Sequence, residues 1–254
     1  NMRMNSLLKL LFAATFLNVL SWVILIPVWQ YPDEQAHFAQ VQYIAEIGGV
    51  IHDNRALDTS YEVALSENIL DTERDEFGNN KFTYHPENKL DYSPTLFGPR
   101  EEEILHLPKS ARKEMVKNEA TLNPPLYYNI AAQVYKLFAW GDLFTRVYAI
   151  RVFSSLIFLL TVFAAYKIGQ LIFDNSYLPL TLASLVAAKP MLVFASTGVL
   201  PDTLTILLFS IFILISLQIL VKGWSTIRII ALTVVIILGA ATRQNFLITL
   251  FILP

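Results

Sequence analysis

DTLTILLFSIFILISLQILV, residues 202–221, carries no charged side chain after its first residue. A helix rises ~1.5 Å per residue, so a run of this length crosses the ~30 Å hydrocarbon core of a bilayer. Similar apolar runs lie at about 148–172, 177–198 and 227–250, and another fills most of residues 1–28. The sequence therefore predicts an all-α, polytopic membrane protein with five spans.

Composition supports this class and excludes others. The chain is 54% hydrophobic and 16% charged, against ~25% charged residues in ordinary soluble domains. Of its acidic residues, all but Asp142, Asp174 and Asp202 lie between Asp33 and Glu119, so residues 29–147 form a water-exposed segment. A net charge of −2 provides no basic field for nucleic acid, and the lack of cysteine excludes thiolate metal sites and cysteine nucleophiles.

Positive charge predicts the orientation in the membrane. Arg3 and Lys9 flank the N-terminal end of the first span and place the N-terminus in the cytoplasm, so residues 29–147 are extracytoplasmic, across a bacterial plasma membrane. A cleaved signal peptide is the alternative, but the apolar run is too long and no small-residue cleavage site follows it. Because the chain stops directly after an apolar run, we expect a fragment of a longer protein.

Two amphipathic segments of the outer loop, 34–47 and 125–140, are predicted to be interfacial helices. The second is also compatible with a short span. As a span it would place Lys222 and Arg228 outside, whereas as an interfacial helix it keeps both near the cytoplasmic side. Its tyrosines and Trp140 favour the headgroup layer, and we therefore favour the interfacial helix.

Reactive side chains are densest in Pro32-Asp33-Glu34-Gln35-Ala36-His37, directly after the first span. Helical spacing lets His37 face the same way as Asp33 or Glu34. Such a group suits a general base, or a site for a divalent cation such as Mg²⁺ or Mn²⁺ held by Asp33, Glu34 and His37. The alternative is structural, because acids at a helix start cap free amides and complement the helix dipole.

Further charges lie at or within the spans. Asp202 opens the fourth span at the outer face, as a second acid or as a helix-start residue. Arg243, in the outer half of its span, is a candidate ligand for a lipid phosphate or a member of a structural ion pair. Arg151, and Lys189 deep in the third span, are further candidates for the phosphate, although Arg146 and Arg151 also suit snorkelling anchors.

The ordered set of motifs resembles GT-C glycosyltransferases. Asp33-Glu34-x-x-His37-Phe38 after the first span is similar to the first outer loop of protein O-mannosyltransferases and aminoarabinose transferases. Pro124-Pro125-Leu126-Tyr127-Tyr128 resembles the start of the interfacial helix, and Arg151-Val-Phe-Ser-Ser resembles the start of the second span. The strongest overall likeness is to an uncharacterised bacterial membrane-protein family with Pro-Asp-Glu-x-x-His, Pro-Pro-Leu-Tyr-Tyr and Pro-Asp-x-Leu-Thr segments.

The resemblance implies a GT-C fold and a polyprenyl-phosphate sugar donor, with a glycan, lipid or protein acceptor at the outer face of the bilayer. It makes Asp33 the preferred base, Glu34 its neighbour or alternate, His37 a supporting residue and Asp202 the second acid. Asn123 stands where the superfamily has His or Lys, which removes a possible phosphate or metal contact. The long loop 49–122 suggests its own acceptor preference.

Two functions of other classes compete with the transferase. A non-catalytic lipid-binding or transport subunit would use polar residues inside the spans as a pathway. A structural membrane anchor would only display the outer segment, which leaves the collection of acids and cations at the outer face without a role.

Overall fold

A computed structural model describes residues 2–49, 58–73, 93–117 and 123–254. The chain divides into two compact units. The bundle unit consists of residues 1–25, 123–127 and 151–254, and the loop unit consists of residues 26–122 and 128–150. Parts of the predicted loop 49–122 lie outside the described residues.

The described elements are helical apart from one pair of short strands. In chain order they are α1 (Met2–Leu25), α2 (Glu34–Glu46), β1 (Asp58–Ser60), α3 (Tyr61–Leu70), α4 (Pro94–Leu105), a 3-10 helix (Lys109–Arg112), β2 (Met115–Lys117), α5 (Leu126–Leu137), α6 (Leu143–Ile172), α7 (Leu178–Ala188), α8 (Pro190–Thr197), α9 (Asp202–Lys222), α10 (Thr226–Ala240) and a second 3-10 helix (Gln244–Ile252). The strands β1 and β2 pair antiparallel, with Thr59 opposite Val116.

Within the described residues, three helices are long and apolar enough to cross a membrane: Met4–Leu25, Leu143–Ile172 and Asp202–Lys222. The bent pair α7 and α8 makes a fourth span if it crosses as one unit. These helices confirm the predicted polytopic helical class. α6 begins at Leu143, ahead of the predicted start at 148, because Asp142 accepts a hydrogen bond from the Thr145 N–H at 2.7 Å and caps the helix there.

The span predicted at 177–198 is not one continuous helix. α7 ends at Ala188 and α8 starts at Pro190, with a bend of 61° between them. Lys189 adopts an extended backbone, ψ 110°, because a residue before proline is disfavoured in the helical region and Pro190 has no N–H to donate. The break at Lys189-Pro190 exposes the Lys189 side chain rather than placing it deep within a continuous helix.

The span predicted at 227–250 is likewise not one continuous α-helix. Ser225 caps α10 by accepting a hydrogen bond from the Arg228 N–H, and the helix ends at Ala240. Arg243 is extended, with φ −146°, and the 3-10 helix that follows turns back so that Phe246 packs on Gly239. The chain can approach this closely because Gly239 has no side chain, and a Cβ there would collide with the Phe246 ring.

The bundle unit has two apolar clusters. α1, α6, α7 and α8 pack around Val19, Phe158 and Val193. α9, α10 and the C-terminal 3-10 helix pack around Phe212 and Phe246. Side-chain packing in these two clusters therefore holds the helices that carry the candidate site residues of the bundle unit.

The polar side of the amphipathic helix predicted at 34–47 is buried rather than exposed. Its boundaries agree with the prediction, and Gly48, at φ 84°, follows its last turn as expected for a helix stop. However, Gln35, Gln40 and Gln42 are buried together with the apolar residues. Polar side chains are stable in such a position only when buried partners accept and donate their hydrogen bonds, and Gln42 has such partners, as described below.

Candidate functional site

Asp33 directly precedes α2 and adopts the left-handed backbone conformation, with φ 54° and ψ 18°. Its carbonyl accepts the hydrogen bond of the His37 N–H at 3.0 Å, but its side chain makes no capping hydrogen bond to the helix. The carboxylate is exposed. The capping explanation of Asp33 is therefore wrong, and the exposed carboxylate can take a proton from a molecule that approaches through water.

Glu34 has a different environment from Asp33, although the two are adjacent. Its side chain is fully buried, and its Oε2 accepts a hydrogen bond from the backbone N–H of Trp29 at 3.1 Å. Trp29 has a positive φ of 68°, and its indole Nε1 donates to Ser66 Oγ at 2.9 Å. The Glu34 carboxylate thus holds the turn that leads out of the first span.

His37 is buried one turn into α2 and contacts a second motif. Its Nδ1 lies 2.8 Å from the Tyr128 hydroxyl, and the two rings are stacked with centroids 5.9 Å apart. Tyr128 is the last residue of Pro124-Pro125-Leu126-Tyr127-Tyr128. Two motifs that are about ninety positions apart in the chain therefore meet at a hydrogen bond.

The cation cluster predicted for Asp33, Glu34 and His37 does not form. Across the described parts of the chain, no group of three or more His, Asp or Glu side chains is placed to hold a metal ion. The physical reason is that Glu34 directs Oε2 to Trp29 and His37 directs Nδ1 to Tyr128. These residues do not fit an Mg²⁺ or Mn²⁺ site.

Asp202 and Arg243, which are far apart in sequence, form an ion pair in the bundle unit. Arg243 Nη2 lies 2.6 Å from Asp202 Oδ2, and the side chains are 30% and 39% exposed. Asp202 is the first residue of α9, where its charge complements the helix dipole. Because both side chains are partly exposed, another anion can compete with the carboxylate for the guanidinium. Within the described residues, the buried Arg243 Nε has no hydrogen-bond partner.

The other predicted phosphate ligands have different positions. Arg151 is fully buried, and its Nη1 donates to the Val23 carbonyl at 3.2 Å, which contradicts a snorkelling role. Arg146 is fully buried as well. Lys189 is exposed at the break between α7 and α8. Of these three cations, Lys189 is the exposed one.

Three of the quoted motifs meet inside the bundle unit. The Tyr127 hydroxyl lies 2.9 Å from Ser154 Oγ, and Thr203 Oγ1 donates to the Ser154 carbonyl at 3.0 Å. The Leu126 N–H donates to the Ala241 carbonyl at 3.0 Å, next to Arg243. These motifs, which are distant from one another in the sequence, are therefore in contact within the bundle unit.

The loop unit contains a buried charge network that the sequence analysis does not predict. Arg146 makes a two-pronged contact with Glu62, through Nη2 to Oε1 at 2.6 Å and Nη1 to Oε2 at 3.0 Å. Gln42 Nε2 donates to Glu62 Oε2 at 2.6 Å, and the Ser60 hydroxyl donates to Gln42 Oε1. Arg112 Nε lies 3.4 Å from Glu62 Oε1. Buried Glu62 is therefore surrounded by donors.

Tyr135 links this network to α2. Its hydroxyl accepts a hydrogen bond from Arg146 Nη1 at 2.6 Å and donates to Glu46 Oε1 at 2.9 Å. Burial raises the pKa of Tyr135 well above its usual value, although the Arg146 guanidinium acts in the opposite direction. The phenol therefore stays protonated at neutral pH and remains a donor to Glu46.

The site residues fall in different units. Asp33, Glu34 and His37 belong to the loop unit, whereas Asp202, Arg243, Arg151 and Lys189 belong to the bundle unit. The structure brings Asp202 to Arg243 and His37 to Tyr128.

Comparison with known proteins gives one match. The model of a family described as "Predicted membrane protein (DUF2142)" matches residues 16–254. No curated protein and no solved structure matches the chain. Together with the long apolar helices, the match identifies an integral membrane protein.

Proposed function

We propose that this chain, which belongs to the DUF2142 family of predicted membrane proteins, carries the outer-face acceptor site of a glycosyltransferase that uses a polyprenyl-phosphate-linked sugar. The observation that carries the proposal is the exposed Asp33 carboxylate, which does not cap the helix that follows it. The acceptor is a glycan, lipid or protein hydroxyl at the extracytoplasmic face.

In the proposed reaction, the Asp33 carboxylate takes the proton of the acceptor hydroxyl. The acceptor oxygen then bonds to the anomeric carbon while the bond from that carbon to the phosphate oxygen breaks. The electron pair of that bond leaves with the polyprenyl phosphate. A guanidinium that binds the leaving phosphate stabilises the added negative charge, and Arg243, whose side chain is 30% exposed, is the candidate.

Arg243→Lys is expected to weaken use of the donor without abolishing transfer. The positive charge remains, but the planar fork that binds two oxygens is lost. A lost charge-assisted hydrogen bond contributes ~1.5 kcal/mol, so kcat/KM for the donor should fall about ten-fold. The measurement is transfer of radiolabel from undecaprenyl-phosphate hexoses by the full-length protein in nanodiscs.

Arg228→Lys is the matched control, because Arg228 lies in the same unit and donates to the Lys222 and Gly223 carbonyls rather than to an acid. It should leave donor use unchanged. If Arg243→Lys and Asp202→Asn lower the melting temperature equally while the donor KM stays constant, the pair is only structural.

The orientation of the protein is a further part of the proposal. With the N-terminus in the cytoplasm, single cysteines that replace Thr95 or Lys109 should react with an impermeant thiol reagent in intact cells. Cysteines that replace Ser176 or Thr226 should react only after permeabilisation. All four side chains are exposed and the chain has no native cysteine, so the signal comes from one site. Labelling of the Thr226 variant from outside would contradict this orientation.

The exposed side chains around α5 support its predicted interfacial position. Leu137 and Trp140 are each more than 70% exposed. Tryptophan favours the headgroup layer, and exposed leucine is better accommodated by lipid than by water. In the proposal, this location brings the Pro-Pro-Leu-Tyr-Tyr segment to the membrane surface, where the phosphate of a lipid-linked donor lies.

A lipid-binding or transport subunit is the second candidate, and the break between α7 and α8 favours it. Interrupted helices with a charged residue at the break are typical of transporter sites, and Lys189 is exposed there. The candidates differ in chemistry, because a transport subunit moves the lipid without separating the sugar from its phosphate. Release of sugar that depends on Asp33 would decide for the transferase.

A further inference from the structure

The turn between the first span and α2 is held in a sterically unfavourable backbone conformation. Trp29 and Asp33 both have positive φ values, 68° and 54°. Residues with a Cβ rarely adopt a positive φ, and a bulky residue such as tryptophan does so least readily. Backbone strain of this kind persists only where surrounding contacts fix it, and it concentrates at functional sites.

Three contacts fix Trp29. Its backbone N–H donates to Glu34 Oε2 at 3.1 Å, and its indole N–H donates to Ser66 Oγ at 2.9 Å. Its ring also packs against Phe38, with centroids 5.6 Å apart. Glu34 is the first residue of α2 and directly follows Asp33 in the chain. Because its carboxylate accepts the Trp29 N–H, this hydrogen bond closes the turn that contains Asp33. A hydrogen bond to a carboxylate is about twice as strong as one between neutral groups.

The two neighbouring acids therefore have different access to a substrate. Glu34 is fully buried and holds the turn, whereas Asp33 is exposed at the apex of the same turn. We infer that Glu34 is a positioning residue, which fixes the Trp29 turn and thereby presents the Asp33 carboxylate, and that it is not a second base. This inference rests on the proposed transferase function.

The test compares Glu34→Gln, Glu34→Ala and Asp33→Asn in the full-length protein in nanodiscs. Glu34→Gln keeps an amide oxygen that can accept the Trp29 N–H, so transfer should stay within about three-fold of the parent. Glu34→Ala removes the acceptor, so kcat should fall at least ten-fold while the donor KM changes little. Ser66→Ala weakens the same turn without removing an acid and should lower kcat in the same direction.

Hydrogen–deuterium exchange of residues 26–34 reads the turn directly. Protection of this segment should fall in Glu34→Ala and persist in Glu34→Gln and Asp33→Asn. Unchanged protection in Glu34→Ala would overturn the inference, and so would a loss of activity in Glu34→Gln as large as in Asp33→Asn with protection intact. In both cases the transferase proposal stands. Parent-level transfer by Asp33→Asn overturns the assignment of Asp33 as the base, and absence of transfer by the parent protein overturns the transferase proposal.

Discussion

Asp33→Asn is expected to lower the rate of sugar transfer by about 10²–10⁴-fold while the protein stays folded. The magnitude is the typical contribution of a positioned general base, which the neutral amide cannot supply. Folding should be unaffected because asparagine adopts the left-handed conformation as readily as aspartate, and the Asp33 side chain makes no capping hydrogen bond that could be lost. The measurement is initial-rate transfer from undecaprenyl-phosphate hexoses, with the melting temperature recorded in parallel.

Asp71→Asn is the matched control for this substitution. Asp71 is also exposed and also has a positive φ, 60°, at the end of α3. The same change of charge and shape at Asp71 should leave transfer unchanged. Parent-level transfer in Asp33→Asn, alone and combined with Glu34→Gln, would show that this loop does not carry the base.

The helices were predictable because their signals are local. Apolar runs give α1, α6 and α9, and Gly48 marks the end of α2. The break in the third span is also a local signal, since Pro190 follows Lys189 in the sequence. The break was missed because the apolar run continues on both sides of Pro190, which cannot donate a backbone hydrogen bond.

The roles of individual acids were less predictable, because they depend on neighbours far along the chain. Spacing alone gives Asp33 and Glu34 the same chances of being a base or a cap. What separates them is Trp29, whose N–H lies against Glu34, and Ser66, which holds the indole. Similarly, the glutamines of α2 fit the polar side of an amphipathic helix in the sequence. In the structure Gln42 is buried, because its side chain donates a hydrogen bond to buried Glu62. Local periodicity carries no information about such partners.

Arg146→Met is expected to destabilise the loop unit by about 3–5 kcal/mol. Glu62 and Arg146 are both buried, and removal of one member of a buried ion pair leaves the other as an uncompensated charge. Arg112, at 3.4 Å from Glu62 on one side, replaces only part of the lost contact. Increased hydrogen–deuterium exchange across residues 58–73 and a lower midpoint of denaturant unfolding would measure the loss.

The double variant Arg146→Met with Glu62→Leu should recover much of that stability. Replacement of both members by apolar side chains of similar size removes this buried ion pair, and such changes are often neutral. Arg112 keeps its hydrogen bonds to the Ala139 and Gly141 carbonyls. Arg228→Met is the control, because Arg228 lies outside the buried network and its guanidinium contacts only backbone carbonyls in the hydrogen bonds given above. If Arg146→Met lowers the free energy of unfolding by less than ~1 kcal/mol, water reaches Glu62. The network is then a set of weak surface contacts rather than a buried ion pair that holds α2 and α3 together.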